Sequence, residues 1–274
     1  MLPIQVEALK ASATAKLKEY QDAIDALGDY ADRVAAAKSS FRNKNRADNS
    51  AFADVREKLT QMCRGPRRCM YCEDSVADEV EHFKPKDLYP EVVFAWTNYL
   101  YACGSCNGPK NNKFSIIDGT GALKNVTRPR ARRGEVQVIS PPAAGDIALI
   151  DPRTEDPMKF LMLDLRDTFE FTSIADPSTV EEKRANYTLE VLRLNERDFL
   201  IEGRSSAFGS FYARLFQYVE EKSRGASVAE LALNLDGIRR SPHPTVWAEM
   251  VRQQHAHSRL NQLFNQAPEL LGAV

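Results

Sequence analysis

Cys69-Met70-Tyr71-Cys72 and Cys103-Gly104-Ser105-Cys106, with Glu81-His82-Phe83-Lys84-Pro85-Lys86 and Trp96-Thr97-Asn98 between them, decide how this chain is read. Two Cys-x-x-Cys pairs so close together supply four soft thiolates. Four thiolates in a tetrahedron suit zinc and leave no position for water, so a metal held by Cys69, Cys72, Cys103 and Cys106 is structural. It would staple a module too small to bury a sufficient core of its own. Cys63, the fifth cysteine, lies outside both pairs and reads as a part-buried bystander. The odd cysteine count, without a signal peptide, argues against a disulfide framework. The opening residues Met1-Leu2-Pro3-Ile4-Gln5-Val6-Glu7 carry neither a basic nor an apolar leader region, and the apolar runs are short. The expectation is a cytoplasmic chain with no membrane segment.

Upstream of the cysteines, Val6, Leu9, Ala13, Leu17, Tyr20, Ile24, Leu27 and Val34 recur at helical spacing. They predict a helix over 4–38 that Gly28-Asp29 can interrupt. Residues 38–50 are polar and basic and read as loop, and 50–62 as a short helix. Downstream, 119–146 is rich in Gly, Pro and Arg and reads as a basic linker centred on Arg128-Pro129-Arg130-Ala131-Arg132-Arg133. Strands are expected at 137–139 and 148–150, and a hairpin within 158–174 from the alternation of Phe160, Met162, Phe169 and Phe171. From residue 178 the pattern is helical, with a last helix over 244–265. The organisation is therefore an N-terminal helical region (1–62), a cysteine-rich module (63–118) and a mostly helical C-terminal region (119–274). The class is mainly α with a small α+β insert.

The net charge is -1, with 27% charged residues, so any contact with nucleic acid has to come from a local basic patch. Residues 107–133 hold seven Lys or Arg against the single acid Asp118, an excess able to follow a phosphate backbone. No aromatic residue interleaves with the arginines, so stacking on single-stranded bases is not indicated there. His243, His255 and His257 do not match the spacing of the module and read as surface residues.

The order of these elements resembles the HNH endonucleases: Cys-x-x-Cys, an acid followed by His with Pro three residues on, an Asn, then Cys-x-x-Cys-Asn-x-x-Lys. The resemblance is tight from Cys69 to Lys113 and implies a ββα-metal core stapled by a four-cysteine zinc. It implies that His82 is the general base that takes a proton from water. It also implies that Glu81 and Asn107 offer hard oxygen ligands to a catalytic Mg²⁺ or Mn²⁺, and that Asn98 orients the loop carrying His82. Lys84, Lys110 and Lys113 are expected to meet phosphates. The chain has Glu81 where Asp is commoner and Asn107 where His is also common. These departures leave open whether Glu81 binds the metal or instead orients His82.

A finer resemblance is to the PtuB-like HNH proteins of the Septu and retron anti-phage systems. It is carried by Cys-Met-Tyr-Cys, Glu-His-Phe-x-Pro-Lys, Tyr89-Pro90, Phe94-x-Trp96-x-Asn98, Leu149-Ile150-Asp151-Pro152, Asp156-Pro157 and Leu192-Arg193-Leu194-Asn195 with Arg204. It implies a nuclease acting on DNA, with RNA as a second substrate class, bound to an ATPase of the ABC/SMC type. The alternatives are a nucleic-acid-binding zinc module without catalysis, and a scaffold in which the zinc only staples helices.

Overall fold

The computed structural model describes residues 1–127 and 138–273. Three helices lead the chain: α1 (Ala11–Asp25), α2 (Tyr30–Lys44) and α3 (Ser50–Met62). The helix expected from residue 4 begins only at Ala11. Its would-be first turns are drawn into long-range bonds instead: Ile4 N–H donates to the Pro152 carbonyl at 2.7 Å, and Trp96 Nε1–H donates to the Glu7 carbonyl at 3.0 Å. The predicted break at Gly28-Asp29 is present, and Asp29 caps α2 by accepting the Ala31 N–H at 2.7 Å. Residues 38–44, expected as loop, continue α2. The reason is Phe41, which extends the buried stripe Val34, Ala37, Phe41 by one more turn. Asn49 caps α3 by accepting the N–H groups of Ala51 and Phe52.

The next elements are β1 (Glu79–His82), β2 (Tyr99–Ala102) and α4 (Gly104–Lys110). β1 and β2 are antiparallel, with Glu79 opposite Ala102 and His82 opposite Tyr99. Every residue of β2 is buried, as an aromatic-rich strand with both faces covered should be. A second sheet has the order β4-β3-β5, from β3 (Ser115–Ile117), β4 (Leu123–Asn125) and β5 (Asp146–Ile147). The strand expected at 148–150 thus lies just upstream. Of the 137–139 prediction, Val138 and Ile139 are irregular, while Gln137 and the arginine cluster 128–133 lie outside the described residues. The predicted hairpin is β6 (Leu161–Leu163) against β7 (Phe171–Ser173).

The C-terminal region is helical: α5 (Val180–Leu192), α6 (Asp198–Ser223), α7 (Val228–Arg239), α8 (Pro244–Gln253) and α9 (Ser258–Gln266). The single helix expected over 244–265 is broken by a 3-10 turn at Gln254–Ala256. Trp247, packed at steep ring angles between Phe211 and Phe264 with centroids 5.5 Å from each, is the centre of this region. Arg204 is buried and donates to the carbonyls of Phe169 and Leu194, while Asn195 brackets the backbone of Phe171, so both tie the hairpin to the α5–α6 junction. One apolar cluster runs through all three regions, joining residues such as Leu17, Phe52, Tyr99, Leu192 and Trp247. His243, read as a surface residue, is buried and bonds Asp74 at 3.1 Å, because α8 packs against the first cysteine loop. Among the described residues, no helix is long and apolar enough to cross a membrane.

Candidate functional site

The four paired cysteines come together. Their sulfur atoms all lie within 4.8 Å of one another, and every one of these side chains is buried. Cys69 and Cys72 sit in a tight loop closed by the Cys69 N–H to Ser75 carbonyl bond, with Glu73 in the left-handed region at φ 62°. Cys103 caps α4 and Cys106 lies in its first turn. The Cys72 and Cys103 sulfurs are 3.8 Å apart. A tetrahedron with metal–sulfur bonds near 2.3 Å has an edge of about 3.8 Å, so this donor set fits a metal such as zinc. Donation from Cys106, Cys69 and Cys72 holds the Cys103 thiol well below the usual thiol range, whereas burial pushes Cys69 well above it. Arg197, at the head of α6, donates to Cys106 Sγ at 3.3 Å and to the Ser105 carbonyl at 3.1 Å, placing a positive charge against the thiols. Cys63 stays outside the cluster; it donates to the Leu59 carbonyl, and burial raises it to about 11.

β1 and α4 face each other through two matched pairs. Residues two apart on a strand share a face, as do residues three apart on a helix. Glu79 and Glu81 therefore meet Asn107 and Lys110. Asn107 Nδ2 donates to Glu79 Oε2 at 2.6 Å. The Lys110 ammonium pairs with Glu81 and donates to the His82 carbonyl at 2.9 Å. Lys110 is fully buried, which differs from the surface, phosphate-meeting role expected of it. Removing one partner of such a buried pair costs about 3–5 kcal/mol, against about 0–1 kcal/mol for an exposed pair, so Lys110 is an internal counter-charge. Burial nonetheless keeps Glu81 above the usual carboxylate range despite the opposing effect of Lys110.

His82 ends β1. Its ring packs edge-on to Phe41 at 4.3 Å and to Tyr99 at 5.3 Å. Nε2 lies 3.0 Å from the Val93 carbonyl. A carbonyl only accepts, so Nε2 carries the proton and Nδ1 keeps its lone pair. Burial, with the nearby Lys86 charge, lowers His82 to about 3, and the imidazole is neutral at pH 7. Asn98 grips the backbone on both sides of its amide: its Oδ1 accepts from Lys84 N–H at 2.7 Å, and its Nδ2 donates to the Lys84 and Val92 carbonyls at 3.1 Å each. The loop after His82 and the loop holding Val93 are thereby joined. Asn98→Ala leaves these buried backbone groups without partners, each worth about 1–3 kcal/mol. Urea unfolding is expected to show a loss of at least about 2 kcal/mol. Asn98→Asp, which sets oxygens against two carbonyls, should not restore it.

A cleft of about 520 Å³ opens on His82, Glu81 and Asn107. The same cleft is lined by Asp78, Glu79, Lys86 and, from the N-terminal helices, Phe41, Asn45 and Arg56, all missed in the sequence. Lys84 and Lys113 are elsewhere: Lys84 lies over the Tyr89 ring at 5.6 Å, and Lys113 lines a separate cleft with Tyr187 and Arg193.

No family model matches the chain. One curated protein is clearly similar. The chain is 42% identical over 81 residues to the Septu protein PtuB of Bacillus thuringiensis, in an alignment covering 26% of this chain and 32% of that protein. The chain thus spans about a third of the length of the relative it matches.

Asp78 and Glu79 could have been suspected, because Glu79 shares a strand face with Glu81. Phe41, Asn45 and Arg56 gave no local signal; they reach the cleft only because α2 and α3 pack beside β2.

Proposed function

We propose that this chain is a metal-dependent endonuclease of the HNH kind that hydrolyses phosphodiester bonds in DNA. In this reading residues 63–118 hold the chemistry. The observation that carries it is the placement of His82: an imidazole at the end of β1, oriented by the Val93 carbonyl through Nε2, with Nδ1 unprotonated, in the same cleft as Glu81 and Asn107. The order β1, β2, α4 behind it, held by the four-cysteine cluster, supports the ββα reading.

His82 Nδ1 takes the proton from the water that attacks phosphorus, and the Val93 carbonyl supports the imidazolium that forms. Asn98 keeps the ring and its loop in place. Among the described residues the cleft offers carboxylate and amide oxygens and no thiol or second imidazole, which suits a hard divalent cation keeping several waters. Asn107 spends its Nδ2 on Glu79 and retains Oδ1; Glu81 reaches the cleft beside it with Lys110 behind. These two residues would hold Mg²⁺ or Mn²⁺, which offsets the negative charge developing on the phosphate. Cys69, Cys72, Cys103 and Cys106 would hold a zinc that ties α4 to the first loop, with no position left for water and so no part in cutting.

The partial similarity to Septu PtuB supports a role in anti-phage defence. The family resemblance of the sequence adds the reading that the chain is a nuclease subunit acting beside an ABC/SMC-type ATPase. The test is plasmid cleavage by the purified chain, alone and with any ATPase that co-purifies from the native host. Nicked or linear product is expected with Mg²⁺ or Mn²⁺, and none after mild EDTA treatment that leaves the thiolate-bound metal in place. No cleavage of DNA or RNA under either condition overturns the reading.

A further inference from the structure

The cleft beside His82 continues into a second one of about 370 Å³, sharing Phe41, Lys86, Asn111 and Asn112 with it, so that one groove runs past the imidazole. Its charges come from two sources. Asp78, Glu79 and Glu81 bring carboxylates from β1 and the residue before it. Arg56 and Lys86 bring cations to the first cleft, from α3 and from the loop after β1, and Arg42 of α2 brings one to the second. Lys38 also faces the second cleft, but Asp87 neutralises it at 2.9 Å.

The other three cations have no carboxylate within ion-pair distance among the described residues, although Asp87 and Glu81 act on Lys86 from farther away. Arg56 donates to the carbonyls of Arg46 at 3.2 Å and Phe52 at 3.1 Å, and to Asn45 Oδ1 at 2.6 Å. All three acceptors are neutral. They fix the plane of the guanidinium without cancelling its charge, and its remaining N–H donors are free for a ligand. Lys86 is half-buried, with Nζ 5.7 Å from the Phe41 ring. Arg42 is exposed. Among the described residues none of the three makes an ion pair. Partly desolvated cations held in orientation and lacking a carboxylate favour an anionic ligand, and a guanidinium fork matches phosphate oxygens.

Building on the nuclease reading, we propose that Arg56 and Lys86, with Arg42 farther along the groove, grip the phosphates of the DNA strand that passes His82. The N-terminal helices then form part of the substrate site. The basic stretch before α3 has its use here, in setting the strand's position, while Lys84 and Lys113 stand away from it. Arg56 and Lys86 act by contact with phosphate and hold the strand so that the scissile phosphorus faces His82.

The test uses the full chain in a His82→Ala background, so that DNA is bound but not consumed. Fluorescence anisotropy of a labelled duplex is followed across a salt titration. Lys86→Ala and Arg56→Gln are each expected to raise Kd roughly tenfold at fixed salt, the effect of one lost charge-assisted hydrogen bond. Each should also reduce the slope of log Kd against log salt by about one. Lys222→Ala, whose ammonium pairs with Glu269 on a distant helix, should leave both unchanged. Lys86 decides the matter, since among the described residues no hydrogen bond depends on its ammonium. If Lys86→Ala binds like its background with an unchanged slope, the grip is wrong and the nuclease reading stands. If the His82→Ala background itself binds no DNA even at low salt, both fall together.

Discussion

His82→Ala cuts plasmid DNA at least about a hundredfold more slowly than the parent chain under the same Mg²⁺ or Mn²⁺, while DNA binding is retained; that is the range in which a positioned general base contributes. The expectation follows from the state of the ring. Nε2 is committed to the Val93 carbonyl, burial keeps the imidazole neutral, and Nδ1 is the nitrogen left to accept a proton. Removing the ring also uncovers Phe41, so some stability is lost. His82→Asn is the companion variant, because it keeps a polar side chain at the strand end and separates a folding defect from a missing base. Both variants should retain the helical circular dichroism of the parent and both should lose cutting. His255, which is exposed, supplies the control: His255→Ala should cut normally. A folded His82→Ala protein that cuts as fast as the parent would sink the general-base assignment.

Cys106→Ser should strip the metal from the cysteine cluster and unfold the module around it. Structural zinc in small modules contributes an apparent 10–16 kcal/mol or so, which matches or exceeds the whole stability of a typical domain, about 5–15 kcal/mol. Cys106 is completely buried, and it is the thiol that Arg197 bonds, so its loss also loosens α4 from the head of α6. Metal analysis should fall from about one tightly held zinc per chain to near zero, and the thermal transition should broaden or disappear. Cys63→Ser makes the comparison fair. That side chain is also buried but lies outside the cluster, and a serine can still donate to the Leu59 carbonyl. It should keep its zinc and melt within a few degrees of the parent, as a change of about 1 kcal/mol allows in a chain this long. A Cys106→Ser protein with full metal and an unchanged melt would show that the four sulfurs do not share an ion.

Much of the architecture was legible because it is signalled locally. The break before α2 needs only Gly28-Asp29, the 50–62 helix has its cap in Asn49, and the hairpin of β6 and β7 shows in alternating apolar residues. The errors share one cause. Residues 4–10 carry a helical pattern but spend their backbone bonds on Pro152 and Trp96, far along the chain. Residues 38–44 look like loop until Phe41 is seen to pack on Phe52 and His82. His243 looks exposed until α8 meets the cysteine loop.

The candidate site divides in the same way. By itself the sequence determined which residues could do chemistry: four thiols at metal spacing, and Glu81, His82, Asn98 and Asn107 in fixed order around them. These are properties of spacing, and spacing survives without a fold. Only the tertiary structure decided what each one meets. It buried Lys110 against Glu81, turned Asn98 onto the backbone, left Lys84 and Lys113 outside the cleft, and brought Arg56 and Lys86 in. Burial and charge pairing depend on partners separated in sequence by many residues, 28 for Lys110 and the His82 carbonyl, and no local pattern encodes which of several lysines will be enclosed.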